Sequence, residues 1–447
     1  MLGNRGTAPQ RSRGRHGVVE QQLVWQSLNT IAYAIARRSP LLSRVWRHWR
    51  IARERVETRL RFMRGHHDGF LVPNRIISVA PSRIHRIARP DAVRGYRLMP
   101  TMISGDWDFT GPLTDGSGFY DDLRAVAAGA GWDSTHVYAS ALECFVRGEP
   151  WKGLMDRRQF EREWCAEYDR LLESIRTDGY MSQSQLPRAK PRGYIPLLPD
   201  EVTVAIGRDG SLLVWEGRHR VACATVLGVE EIPARVAFRH ANWAAFRRSI
   251  DVYARKHGGM IPQPLLHPDL DNIPAWRDCR TEFARVRSAL GSRHGTLVDL
   301  TPGWGYFCHR FEQVGSACTA VVDGTEDARF MRAHRQAQER TFDVIAAGDS
   351  GPRRSFDAAL ALDWMGRGDD ETAEVEKLLE LLGSVSVAEL VVEMPRRADT
   401  RYDRPAAERQ GGLLSTLAEK GGFSSWSLVY SRDSRSDVYR LAGGRAR

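Results

Sequence analysis

Long apolar runs are the first feature that this sequence lacks. None of its 447 residues belongs to a stretch near the ~18 consecutive apolar residues that a membrane-spanning helix needs. Residues 5–15 are dense in arginine and lack the uninterrupted apolar segment of a secretory signal. These two absences predict a cytoplasmic protein.

Cysteine and lysine are also scarce. The six cysteines are scattered, and no Cys-x-x-Cys pair occurs among them. This spacing argues against a zinc site or a disulfide framework and fits a reducing compartment, so no protein-held metal site is predicted. Only five of the 65 basic residues are lysines, a skew that genomic base composition explains better than phosphate recognition.

Positive charge is concentrated at one end of the chain. Residues 1–65 contain fourteen arginines against three glutamates, a formal charge of +11, whereas residues 66–447 sum to −1. The segment is predicted to be a basic arm, partly disordered and partly helical. Its helices either bind an anionic membrane surface or acidic partner, which would make the protein peripheral at the inner membrane face, or pack on the protein's own core. No basic helix-turn-helix reader follows residue 66, so sequence-specific DNA binding is not expected.

The rest of the chain divides by the period of its apolar residues. Residues 66–260 begin with β-rich pieces, continue with a helical pattern over 120–176, and end with a strand, a turn, a strand, a helix and a strand over 202–238. The proline-rich stretch 261–275 is predicted to be an interdomain linker. Over 276–447 strands alternate with helical segments and end in a strand pair, which is typical of a doubly wound α/β sheet with an antiparallel edge.

The first candidate site is a turn between a strand and a helix, Glu216-Gly217-Arg218-His219-Arg220. Backbone N–H groups at a helix N-terminus and two guanidinium groups can converge there on a phosphate. Gly217 would permit close approach of the ligand, and His219 would add a donor. The alternative is a structural turn whose arginines pair with nearby glutamates.

The run from residue 204 to residue 240, with its acid-Gly-x-His-Arg turn, resembles the nucleotide-binding core of the ParB/sulfiredoxin superfamily, and most of all its free-serine-kinase branch. The resemblance implies an α+β module in which Gly217, His219 and Arg220 contact the phosphates of a nucleotide, ATP or CTP with Mg²⁺. It also implies that Glu216 lies near the metal or the reacting group.

A Gly-Asp-Trp-Asp element lies upstream of this turn, at residues 105–108. Asp106 and Asp108 are two residues apart and could hold Mg²⁺ or orient a hydroxyl substrate, which makes them catalytic candidates beside Glu216. The alternative, which the residue types favour, is that both aspartates form a turn with their own backbone.

The second candidate site begins with Leu-Val-Asp299-Leu-Thr-Pro-Gly303-Trp-Gly305, which fits a strand, a glycine turn and a helix that hold an adenosine-type cofactor. This sequence resembles motif I of class I S-adenosylmethionine (SAM) methyltransferases. The resemblance implies a Rossmann-like domain in which Asp299 is the motif's acid and the glycines let the backbone approach the methionine moiety of SAM.

Three further acids follow later strands of this domain. The resemblance implies that Asp323 binds the ribose hydroxyls, that Asp349 lies near the adenine, and that Asp363 belongs to motif IV. One position departs from the pattern, because Thr301, followed by Pro302, replaces the first glycine of the motif. A stiffer loop could weaken cofactor binding, and a degenerate Rossmann domain kept as a scaffold is the alternative.

The combined prediction is a SAM-dependent methyltransferase for a small molecule or glycan, joined to a ParB-like module that binds or transfers phosphate. The chain has no Asn/Asp-Pro-Pro-Tyr sequence, which removes the amino-group DNA methyltransferases. Two alternatives remain: a nucleotide-dependent kinase on a degenerate Rossmann scaffold, and a non-enzymatic nucleotide-sensing assembly protein.

Overall fold

The chain divides into two units, the first ending at Arg248 and the second beginning at Ser249. The computed structural model describes residues 75–89, 101–110, 113, 118–182, 185, 202–291, 295–322, 324–347, 354–364, 371–395, 406–432 and 436–443. The predicted basic arm, residues 1–65, lies outside them. Within the described ranges, no helix combines the length and apolar character that crossing a bilayer requires.

A six-stranded mixed sheet forms the base of the first unit. Its strands are β1 (Ile76–Val79), β2 (Arg86–Ile87), β3 (Met102–Ile103), β4 (Val202–Ile206), β5 (Leu212–Glu216) and β6 (Ile232–His240). They run in the order β1-β6-β4-β5-β2, with β3 paired to the end of β6. The Val/Ile/Ala composition of β4 fits its place in the middle of the sheet, where all five of its residues are buried.

The helices of the first unit pack against one another and against the sheet. They are α1 (Phe119–Ala127), α2 (His136–Val146), α3 (Arg157–Gln159), a π-helical turn (Phe160–Cys165), α4 (Ala166–Asp178) and α5 (Arg218–Val226). Leu123 of α1 and Tyr168 and Leu172 of α4 share one apolar cluster with Cys223 of α5. The predicted strand-turn-strand-helix-strand order over residues 202–238 is present.

The second unit contains a seven-stranded sheet in the order β12-β13-β11-β10-β7-β8-β9. The strands are β7 (Thr296–Asp299), β8 (Ala317–Val322), β9 (Asp343–Ala346), β10 (Arg354–Ala361), β11 (Val385–Pro395), β12 (Ser425–Ser431) and β13 (Ser436–Ala442). The five strands β7 to β11 are parallel, and β13 runs antiparallel between β11 and β12. The predicted doubly wound α/β sheet with an antiparallel ending is therefore present.

Helices lie on both faces of this sheet. In chain order the remaining helices are α6 (Ala241–Lys256), α7 (Cys279–Leu290), α8 (Tyr306–Gln313), α9 (Thr325–Ala337), α10 (Glu371–Gly383) and α11 (Ala406–Gly421). One core packs α7, α8 and α9 against the sheet, and a second core packs α10 and α11. After β9 the chain returns to the other side of β7, so the strand order reverses between β7 and β10, where open α/β sheets bind ligands.

Residues 261–275, predicted to be a linker, belong to the second unit. Ile261, Leu265 and Leu270 are buried, and the Leu266 N–H donates to Nε2 of the buried His334 at 2.9 Å. The prolines of this stretch therefore turn a packed segment and do not mark an exposed connection.

Candidate functional site

The loop after β7 reverses the chain within a few residues and opens helix α8. Gly303 and Gly305 have φ angles of +54° and +88°, in the left-handed region that favours glycine. A Cβ on Gly305 would stand 2.8 Å from Cγ of Met331, so this glycine also lets α9 pack closely. The loop conformation thus requires both glycines of the predicted motif.

Asp299 lies beneath this loop and not on the wall of a cavity. Its side chain is 1% exposed, and its Oδ1 accepts the Thr301 N–H at 3.2 Å. The Cys308 thiol lies 3.8 Å from Oδ2. Burial raises the pKa of Asp299 to about 7. Asp299 therefore holds the loop backbone through Thr301 and does not itself line the described cavity.

Thr301, the departure from the family pattern, fastens the loop to the next strand. Its Oγ1 donates to the Leu362 carbonyl at 2.8 Å and accepts the Leu362 N–H at 2.9 Å. Both bonds join the residues that follow β7 to those that follow β10, across the point where the strand order reverses. A glycine could make neither bond, so threonine stiffens the loop without filling it.

Gln263, from the predicted linker, closes the other side of the loop. Its Oε1 accepts two backbone N–H groups, from Trp304 and from Tyr306, each at 3.1 Å. A Cβ on Gly303 would stand 2.9 Å from Gln263 Nε2. The amide side chain therefore caps the start of α8 and fits against the glycine.

A cavity of about 440 Å³ opens at this edge of the sheet. Its walls come from the loop over residues 300–303, the end of β8, the residues after β10, one side of α10, and Pro262 and Gln263. Of the described lining residues, Asp327, Asp363 and Glu374 are acidic and Lys377 is basic. The lining therefore favours a ligand that carries positive charge.

Asp363 is the predicted acid that the structure places on the cavity wall. Its side chain is half-exposed and its φ is +60°, a left-handed conformation that aspartate tolerates better than most residues. The Asp363 N–H donates to Glu393 Oε2 at 2.9 Å, and Nη1 of Arg277 lies 3.6 Å from Asp363 Oδ2. Two buried charged residues, Glu393 and Arg277, therefore fix the position of Asp363.

Three buried charged residues and the partly exposed Arg432 form a network, which we call the Arg-Glu cluster: Arg277, Glu282, Glu393 and Arg432. Arg277 bonds Glu282 at 2.6 Å and Glu393 at 3.0 Å, and Arg432 pairs with the same two acids at 2.8 and 3.0 Å. Burial raises the pKa of Glu282, whereas for Glu393 the charge of Arg277, the hydrogen bond from the Ser436 hydroxyl and the charge of Arg432 together outweigh burial and lower the pKa. Two positive and two negative side chains therefore balance inside the unit.

Trp304 and Asp327 connect the loop to α9. The indole of Trp304 stacks on Phe330 with ring centroids 4.4 Å apart, and its Nε1 donates to Asp327 Oδ1 at 2.8 Å. Asp327 also lines the cavity. The motif's tryptophan therefore orients an acid that sequence reasoning did not identify.

Two of the predicted cofactor residues, Asp323 and Asp349, lie outside the described residues. Gln263, Asp327 and Arg277 were missed by the sequence analysis. Gln263 had no local signal, because its partners lie about 40 residues away and its surroundings are typical of a linker. Arg277 and Asp327 looked like ordinary charged residues at the start of a helix.

The turn predicted to bind phosphate, residues 216–220, has the expected local geometry. Gly217 has φ +89° and precedes α5, whose N-terminus carries no side-chain cap. Arg218 and His219 are exposed, and the ring of His219 lies 5.2 Å from that of Tyr168. Partial desolvation and the neighbouring charge of Arg218 lower the pKa of His219 to about 4, so the ring is neutral at pH 7.

Arg208 engages both predicted catalytic aspartates of the Gly-Asp-Trp-Asp element. Asp108 is buried and receives the Arg208 backbone N–H at 2.7 Å and its guanidinium at 2.8–3.1 Å. The guanidinium also donates to Asp106 at 2.7 Å. Burial alone would raise the pKa of Asp108, but the bonds from Arg208 lower it. This arrangement is a structural clasp, and the described residues contain no group of three metal-ligating side chains.

The clasp and the turn lie at opposite ends of β5. Arg208 belongs to the hairpin turn before the strand, closed by the Gly207 N–H and the Ser211 carbonyl, whereas Glu216 is the strand's last residue. Five strand residues separate the two ends by roughly 15 Å. The predicted catalytic set of Asp106, Asp108 and Glu216 is therefore not brought together, and Glu216 faces Arg235 at 4.0 Å instead.

Comparisons with known proteins give partial structural similarity only. No family model and no curated protein matches the chain. The methyltransferase domain of bacterial CtHen1 is similar with a TM-score of 0.30 and 16% identity, covering 37% of this chain and 99% of that one. Magnesium protoporphyrin IX methyltransferase (ChlM) from Synechocystis PCC 6803, solved with bound SAM, has a TM-score of 0.28 and 14% identity, with coverages of 36% and 76%. The bifunctional kinase-methyltransferase WbdD is similar with a TM-score of 0.30 and 18% identity, covering 41% of this chain and 44% of that one.

Proposed function

We propose that the second unit is a SAM-dependent methyltransferase whose cofactor occupies the cavity at the end of β7 and β10. The observation that carries the proposal is the position of this cavity at the point where the strand order reverses, lined by a glycine loop that opens a helix. When bound, SAM would supply an electrophilic methyl group on a sulfonium.

The lining residues fit such a cofactor. A cavity of about 440 Å³ is in the range of small-molecule sites, and its three acids suit a ligand with a sulfonium and an ammonium group. Gly303 lies on the wall, where a side chain would collide with Gln263. Gly303, Asp327 and Asp363 would hold the cofactor, and Asp363 would face the groups nearest the end of β10.

Calorimetric titration of the full chain with SAM tests the proposal. The full chain is required, because cutting near residue 270 would separate Gln263 from the loop that it caps. We expect saturable binding well below millimolar SAM. Binding too weak to detect at millimolar SAM would refute the proposal.

Gly303→Ala is the informative variant, with Gly412→Ala as its matched control. Alanine at 303 would adopt an unfavourable left-handed conformation and press on Gln263, so we expect SAM affinity to fall about tenfold or more. A Cβ at Gly412, in α11, meets no atom within 4 Å. Equal SAM affinity of the two variants would place the cofactor elsewhere.

A second, separate proposal concerns phosphate at the start of α5. The support is local: a left-handed Gly217, an uncapped helix start, and an exposed Arg218. ATP or CTP with Mg²⁺ would be the ligand that the ParB-like resemblance implies. Because the predicted acid set is not assembled, we propose binding there and not kinase chemistry.

Arg218→Ala tests this second site by titration with ATP·Mg²⁺ and CTP·Mg²⁺. We expect loss of nucleotide binding with little change in thermal stability, since an exposed arginine holds little of the core. Arg124→Ala, which removes another exposed arginine of the same unit, is the control. A large loss of stability in Arg218→Ala would favour a purely structural turn.

The methyl acceptor is proposed to be an oxygen or nitrogen of a small molecule or glycan. The basic arm, residues 1–65, is proposed to bring the protein to anionic membrane surfaces.

A further inference from the structure

The orientation of the Gln263 amide is fixed by its two donors. The Trp304 and Tyr306 N–H groups both point at one atom of the side chain, and only the carbonyl oxygen can accept them. The opposite atom must therefore be the NH₂ group. Gln263 is 4% exposed, so it is held in place by its surroundings as well as by these bonds.

The NH₂ group of Gln263 lies against Gly303, and both residues line the cavity. Gln263 lines the cavity, and its Nε2 donates to none of the described residues. Nor is Nε2 among the buried atoms sealed away without a partner. A side chain this deeply buried, with two N–H donors that no described residue accepts, is matched to an acceptor that enters the cavity.

The local field favours an acceptor that is negatively charged. Gln263 Nε2 lies beside Gly303, three residues before the first residue of α8, and the positive end of the helix dipole attracts anions. The acids of the cavity, Asp327, Asp363 and Glu374, belong to other elements of its wall. A zwitterionic amino-acid group, with its carboxylate at Gln263 and its ammonium towards an acid, satisfies both features.

We infer that Gln263 binds the carboxylate of an amino-acid moiety in the cavity. The inference rests on the proposed function, because that moiety would be the methionine part of SAM. The Trp304 and Tyr306 amides of the loop are already taken by Gln263 Oε1, so the side-chain NH₂ replaces them as the carboxylate's partner. Selectivity for a carboxylate-bearing ligand then depends on Gln263, which lies outside the strands and helices of the second unit.

Titration with SAM and with decarboxylated SAM, which lacks only the carboxylate, tests the inference on the full chain. The wild-type protein should bind SAM roughly 10- to 100-fold more tightly, the range for a hydrogen bond to a charged group. Gln263→Glu keeps an oxygen for the two loop amides but turns the NH₂ into a repelling oxygen. The variant should lose most of its preference for SAM while retaining its affinity for decarboxylated SAM.

Gln313→Glu makes the same chemical change at an exposed position of α8 and should leave the preference unaltered. If Gln263→Glu weakens both ligands equally, Gln263 is only a cap for the loop and the inference is overturned. A wild-type protein that binds both ligands equally overturns it without any variant, and this comparison stands even if the variant does not fold. If the wild type binds neither, the proposed function fails, and the inference with it.

Discussion

Replacing Asp299 by asparagine tests how the loop above β7 is held. Burial raises the pKa of Asp299 from 3.8 to about 7 in the folded chain. Between those pH values the unfolded chain has released a proton that the folded chain keeps, so the free energy of unfolding falls as pH rises. At about 1.4 kcal/mol for each pKa unit, ionisation costs the folded state roughly 4 kcal/mol at and above pH 7 and nothing below pH 3.8.

Asp299→Asn keeps an oxygen for the Thr301 amide and removes the charge. We expect its advantage in unfolding free energy over the wild type to be about 3 kcal/mol larger at pH 8 than at pH 5. Amide hydrogen exchange of peptides covering β7 and β10, corrected for intrinsic rates, measures this free energy for the second unit.

Asp343→Asn is the control, since it removes an exposed carboxylate from β9, another parallel strand of the same sheet. Its effect on the unfolding free energy should differ little between the two pH values. If Asp299→Asn shows the same advantage at pH 5 and pH 8, then Asp299 is already ionised at pH 5 in the folded protein and the reasoning is wrong.

Three other perturbations follow from the structure. Thr301→Val removes both bonds to Leu362, so we expect a loss of about 1–2 kcal/mol in unfolding free energy and weaker SAM binding. If calorimetry finds the unfolding free energy and the SAM affinity unchanged, contacts other than these two bonds hold the loop. Arg208→Ala leaves the buried Asp108 unpaired and should destabilise the first unit by about 3 kcal/mol in urea unfolding, while Asp106→Ala, at an exposed partner, should cost under about 1 kcal/mol. The full chain should co-sediment with anionic but not neutral vesicles and lose this on deletion of residues 1–65 or at high salt; tight binding of duplex DNA without lipid binding would contradict it.

The strands of the second unit were predictable because buried parallel strands are short, nearly continuous apolar runs. Each run ends at a glycine or an acid, which predicts the edge where a ligand binds, and Asp363 is found there. The sequence did not distinguish an acid on the cavity wall from one beneath the loop. Asp299 is the last residue of β7 and Asp363 follows the end of β10 by two residues, and only tertiary packing buries the first and exposes the second.

Contacts between distant residues account for what the sequence could not predict. The pairing of β3 with the end of β6, more than 130 residues apart, decides at which end of β5 the Gly-Asp-Trp-Asp element lies. The sequence alone therefore could not predict that Asp108 and Glu216 are far apart. Gln263 was hidden for the same reason, since one amide bonds a loop 40 residues later. Prolines that predict a linker are equally compatible with a packed turn.

The charge balance of the Arg-Glu cluster has a consequence for how this protein can change in evolution. Each arginine touches both glutamates, so losing any one member leaves an uncompensated charge inside the unit, at a cost of about 3–5 kcal/mol. Loss of an arginine together with a glutamate restores neutrality, and apolar residues of similar volume could replace all four. Among homologues, positions 277, 282, 393 and 432 should therefore covary, and the hydrogen bond from the Asp363 amide should persist only where an acid remains at 393.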